Sequence, residues 1–130
     1  MIDTSMIKRG IMPNKDKDGS FSLPELVNTI QGFCLGLRLT HWETTSYELH
    51  KAVESTQADL EGLMDDFVEA CVGMNSGKRP TFSGTVSKDT DEDKLISCLK
   101  ELSVKDSALL NIRDEMLQVI YKFKYLKTLN

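Results

Sequence analysis

The apolar positions of this chain fall into four stretches with helical spacing, separated by segments rich in Ser, Thr, Gly and Asp. In the first stretch Leu26, Ile30, Phe33 and Leu37 share one face. Ser22-Leu23-Pro24-Glu25 ahead of them supplies a capping box with Pro in the first turn, so a helix is predicted from there to about Glu43. Leu49, Val53, Leu60, Met64, Phe67 and Cys71 define a second helix over 47–72. Thr44-Thr45-Ser46 forms its turn and cap, and Gly73 followed by Asn75-Ser76-Gly77 ends it. Leu95, Ile96, Leu99 and Leu102 predict a shorter helix over 91–102, whose acidic start (Asp89, Asp91, Glu92, Asp93) suits the helix dipole. Leu109, Ile112, Met116, Ile120 and Phe123 predict the fourth helix, over 106–127. Residues 77–89 carry no strand pattern and read as a polar crossover. The pattern predicts an all-α four-helix bundle with a long crossover between helices two and three. One domain spans 22–130, after an arm over 1–21 that lacks periodicity.

Two features exceed what one bundle core needs. Helix one bears a second apolar stripe, Leu35, Leu39 and Trp42, on roughly the side opposite its core face. A helix apolar on two faces needs a second surface to bury, and a homodimer is the economical answer. Gly62 stands mid-helix on the polar side of helix two, where its propensity cost suggests close approach of some neighbour.

The polar positions hold the chemistry. His50, Glu54, Asp65 and Glu69 fall within roughly a quarter-turn of one helical face, and Glu61 joins the sector. Carboxylates so arranged repel unless a cation or a basic partner neutralises them. His50 and Glu54 are one turn apart, whereas Asp65 and Glu69 lie roughly 22 Å further along at the helical rise. All four can serve one metal only if two chains pack antiparallel. His41 continues the inward face of helix one, directly across the turn from His50. A hydrogen-bonded core role is the ordinary fate of such a histidine; its partner across the turn favours metal. Asp114 and Glu115 fall off the core face of helix four and are the reserve ligands for a site within one chain.

The stretch Leu39-Thr40-His41-Trp42-Glu43, followed by His50, Glu54, Asp65 and Glu69, resembles the ferroxidase pattern of the mini-ferritins, the Dps branch of the ferritin-like proteins. The resemblance covers residues 24–76. It implies a ferritin-like bundle in which His41, His50 and Glu54 of one chain and Asp65 and Glu69 of its neighbour hold two irons. It further implies that Fe(II) is oxidised there by dioxygen or peroxide. Two departures stand out: the His41–His50 gap is shorter than the family usually has, and so is the second half of the chain. They weigh against a closed cage and bulk storage more than against the dinuclear site, and suit a divergent offshoot of the sort carried by viral (phage) genomes. The ligand set, nitrogen and carboxylate oxygen without thiolate, suits Fe(II), Mn(II) or Zn(II).

Composition narrows the alternatives. With 130 residues and a net charge of −4 the chain is not a globally basic nucleic-acid binder. In the arm Lys8, Arg9, Lys15 and Lys17 are nearly balanced by Asp3, Asp16 and Asp18, which makes nucleic acid an unexpected partner. No apolar run approaches a membrane span or a secretory signal, so a cytoplasmic protein is expected. Cys34, Cys71 and Cys98 have neither metal-finger nor redox-motif spacing and read as buried free thiols. The arm carries a second motif, running from Asn14 to Glu25. Asn14, Asp16, Asp18, Ser20 and Glu25 stand where a calcium loop places its ligands, with Gly19 at the sharp turn. The competing reading is a polar turn before a capped helix. For the whole chain, the rival to metal chemistry is a non-catalytic helical protein that binds a partner or a viral assembly, its carboxylate stripe solvated or paired with basic residues of that partner.

Overall fold

The computed structural model describes residues 22–129 and contains four helices and, among those residues, no strand. Helix α1 spans Leu23–Glu43, α2 Tyr47–Met74, α3 Glu92–Lys100 and α4 Ser107–Leu126. Each begins at a side-chain cap. The Ser22 hydroxyl accepts from the Glu25 N–H, Ser46 from Leu49, and the Asp91 and Asp106 carboxylates from Lys94 and Ala108. These bonds satisfy N–H groups that a first helical turn leaves open. Helix α2 runs through Gly73 and stops at Asn75, where Ser76 and Gly77 adopt positive φ and the Gly77 N–H returns to the Val72 carbonyl. The left-handed turn, rather than the first glycine, ends the helix.

The helix neighbours are α1 with α2, α2 with α4, α1 with α3, and α3 with α4. Helix α2 runs antiparallel to α1 after a three-residue link. The crossover then climbs along α1: the Asn28 amide donates to the Ser83 carbonyl at 2.7 Å, and the Asp89 N–H to the Gly32 carbonyl at 3.0 Å. Helix α3 descends from there, and α4 returns beside it. Lys124 and Lys127 near the end of α4 reach Asp93 and Glu92 at the start of α3, at 2.8 and 2.6 Å. The directions are therefore up, down, down, up.

Two glycines make the climb possible. A methyl group at Gly32 would overlap the Ser87 carbonyl, and one at Gly36 the Asp89 carbonyl, so the crossover backbone rests directly on the α1 backbone. No such neighbour exists for Gly62, which meets nothing within 4 Å. The close approach expected of a mid-helix glycine is found on α1 instead.

The core holds the expected residues. Leu26, Ile30, Phe33 and Leu37 of α1 meet Val53, Leu60, Phe67 and Cys71 of α2, Leu95 and Leu99 of α3, and Leu109, Met116, Ile120 and Phe123 of α4. Phe33 and Phe123 join α1 to α4 edge to face, with ring centroids 6.4 Å apart. Leu49, Met64 and Ile112, expected inside, are half-buried at its margin. All three cysteines are buried and free of disulfides. Burial pushes the Cys34 and Cys98 thiols up to about 12, and the charge of Glu61 adds to the effect at Cys34. No helix among the described residues is long and apolar enough to cross a membrane.

Candidate functional site

The α1–α2 corner brings His41 and His50 face to face. Their rings stack with centroids 3.8 Å apart and planes 21° from parallel. Each ring donates from Nδ1 to the other residue's backbone carbonyl, at 3.0 Å from His50 to His41 and 3.3 Å in return. A carbonyl can only accept, so both rings carry their proton on Nδ1, and Nε2 is the ligand-competent nitrogen of each. His41 lies in the last turn of α1, where carbonyls lack helical partners, and His50 therefore also closes that helix end. Tyr47 lies a further layer out, its ring centroid 6.4 Å from that of His50.

Glu54 sits one turn along α2, exposed, with Lys51 at 3.1 Å from its carboxylate. The hydrogen bond from Lys51 holds the Glu54 carboxyl below the usual carboxylate range, and both histidines contribute weakly in the same direction. His41, His50 and Glu54 do not converge into a three-ligand group within one chain, whereas Asp65, Asp66 and Glu69 do, with one oxygen from each lying within 4.8 Å of the others. Those three carboxylates are exposed and have no ion pair among the described residues.

Between the two groups lies a third set of contacts. Arg38 of α1 approaches Glu61 at 3.8 Å and lies 5.9 Å from the centre of the Trp42 ring. With its oxygen turned to the guanidinium, the Gln57 amide accepts from Arg38 Nε at 3.2 Å and Nη2 at 2.6 Å. Glu61 is thus offset from within the chain, as Glu54 is by Lys51, which sets both apart from Asp65 and Glu69.

The expected apolar stripe is partly open. Trp42 is 66% exposed and Leu35 36%, while Leu39 is half-buried. The crossover contributes Phe82 and Val86, also exposed. The reserve ligands remain apart from this face: Asp114 pairs with Arg113 at 2.8 Å, and Glu115 is exposed on α4. Of the calcium-type loop, Asn14, Asp16, Asp18 and Ser20 lie outside the described residues. Glu25 stands in the first turn of α1, its N–H bonded to Ser22 at 3.1 Å.

Sequence reasoning overlooked Asp66 and Arg38. The adjacent acids Asp65-Asp66 were a visible signal for the first, and the one-turn spacing from Arg38 to Trp42 for the second. The reciprocal histidine bonds had none, because they depend on the path of a three-residue link.

No curated protein and no solved structure matches the chain. Residues 41–126, from His41 to the end of α4, match the model of a family of unknown function, DUF5856, and the chain belongs to that family.

Proposed function

We propose that this chain is a metal-binding helical protein of ferritin-like type, whose dinuclear site is completed between two copies. The observation that carries the reading is a pair of incomplete ligand sets. At the α1–α2 corner stand two imidazoles with Nε2 available and the carboxylate of Glu54. Four turns on stand Asp65 and Glu69, with no basic partner among the described residues. Two α2 helices packed antiparallel would bring each set opposite its complement, and carboxylates from both copies would then neutralise metal cations that neither set can neutralise alone. Leu35, Leu39 and Trp42 supply apolar area beside that contact. The up-down-down-up order with one long crossover is the connectivity of ferritin-like bundles, which supports the fold assignment.

His41, His50 and Glu54 of one copy, with Asp65 and Glu69 of the other, would hold two Fe(II) ions as substrate. The iron would supply the electrons: two Fe(II) would give two electrons to dioxygen, which with two protons leaves as hydrogen peroxide, or to hydrogen peroxide, which with two protons leaves as two waters. The backbone carbonyls fix the imidazole tautomers, so that Nε2 needs no reorganisation before binding. An anaerobic Fe(II) titration followed by oxidant, read by near-ultraviolet absorbance, tests this. Saturation near two irons per chain is expected, with His50→Ala and Glu69→Lys each abolishing rapid oxidation. Wild-type protein indistinguishable from those variants would overturn the metal reading.

One observation favours a second reading. The stacked, backbone-bonded histidines have a complete structural role without metal, which suits a non-catalytic protein whose acidic face receives a basic partner. Under it Glu69→Lys removes partner binding, and no metal is bound by either protein.

A further inference from the structure

An open groove of about 740 Å³ lies between α1, α2 and the start of the crossover. That volume is in the range of small-molecule sites. Val27, Met64, Val68 and Phe82 give it apolar walls, Glu61 and Asp65 supply carboxylates, and no basic side chain lines it. Phe82 stands half-exposed at its edge. Gly62 forms part of its floor, and a side chain there would meet nothing of the chain itself within 4 Å. A glycine inside a 28-residue helix costs stability, and here no internal contact requires it. Gly62 also lines a smaller opening toward α4, with Ala58, Asp66 and Val119, so a side chain there would narrow the groove at the edge the two share.

The charge of the groove is uncompensated on one side only. Arg38 offsets Glu61, while Asp65 belongs to the acidic group that has no ion pair among the described residues. An aromatic ring and an unpaired carboxylate lining one groove favour a positively charged occupant, through the face of the ring and through the ion pair. The apolar walls favour a hydrocarbon body rather than a bare metal ion.

We propose that this groove binds a small organic cation, an ammonium group carried on an apolar body, with the ammonium between Asp65 and Phe82 and the body against Val27, Met64 and Val68. The groove and the dinuclear site share Asp65, so their occupants would compete, and the test is run in chelator, where no metal reading can contribute.

The full chain is titrated calorimetrically with 3-phenylpropylammonium and, separately, with 3-phenylpropionate, which has the same body and the opposite charge. Saturable binding of the cation and none of the anion is expected. Gly62→Leu should weaken the cation by about tenfold or more, a loss of about 1.4 kcal/mol, and Asp65→Asn should weaken it while leaving the circular dichroism unchanged. Folding of Gly62→Leu is safeguarded because leucine is the better helix former at an open position. Equal binding of the anion, binding unchanged in Gly62→Leu, or no saturable binding of the cation would each overturn the proposal.

Discussion

Three helical glycines look alike in the sequence and differ in what surrounds them. Gly32 and Gly36 carry the crossover backbone, and a methyl group at either must displace it. Gly36→Ala is expected to cost about 1–3 kcal/mol, the range for overpacking, and to speed tryptic cleavage at Lys88. Gly62→Ala is expected to do the opposite and raise stability by about 0.5–1 kcal/mol, measured by denaturant titration. The thiols give a second test at this scale. With Cys34 and Cys98 pushed up to about 12 by burial, little thiolate exists at pH 8, and both should resist alkylation until the chain unfolds. Labelling that is complete in the native protein would contradict the packing around them. Burial of these cysteines was readable from their place in apolar repeats, because core positions recur with the helical period. The difference between the glycines was not: a backbone-to-backbone approach leaves the same residue type as an open helix surface.

Among the elements, the α1–α2 corner and the crossover are the two connections that shape the site. The corner is held by paired imidazole-to-carbonyl bonds as well as by Ser46 at the cap of α2. His50→Ala in metal-free protein is therefore expected to lower the melting temperature, by the loss of about 1 kcal/mol for a hydrogen bond and its stacking. An unchanged melt would leave the histidines with no structural role. The crossover is tied down through Asp89, whose carboxylate accepts from Lys94 at 2.9 Å and from the Asp91 N–H. The Lys94 hydrogen bond and then that from Asp91 hold the Asp89 carboxyl below the usual range. A carboxyl depressed in the fold stabilises it above the unfolded value, about pH 4, and loses that contribution as pH falls through the folded value. Hydrogen exchange over 85–90 should accordingly rise in acid before that of α2 does. All four helices were foreseen within a few residues, since their caps and periodicity are local. The route of the crossover along α1 was not foreseen, since it is written in contacts between Asn28 and Ser83 and between Gly32 and Asp89, distant in the chain.

For the molecule as a whole, the outer side of α1 and α2 decides between an isolated bundle and an assembly. It combines an unpaired acidic group, two imidazoles and the exposed apolar side chains of Leu35 and Trp42. If the ligand sets complete each other across two copies, sedimentation should find a dimer, and Trp42→Glu should dissociate it without disturbing the helices. A monomer that binds two irons with full affinity would exclude the shared site. The stripe of His50, Glu54, Asp65 and Glu69 was visible as a pattern, and the helical rise alone already divided it into two sets; what the fold adds is local. There the imidazoles turn toward the corner and Asp65 and Glu69 gather with Asp66.

Trp42 has a consequence beyond packing. It is the sole tryptophan of the chain, two-thirds exposed, one residue from His41 and beneath the Arg38 guanidinium. The protein therefore carries its own optical probe at the face in question. Its emission should move to shorter wavelength when another copy covers that face, and bound iron should quench it, so one cuvette can follow assembly and loading as separate signals.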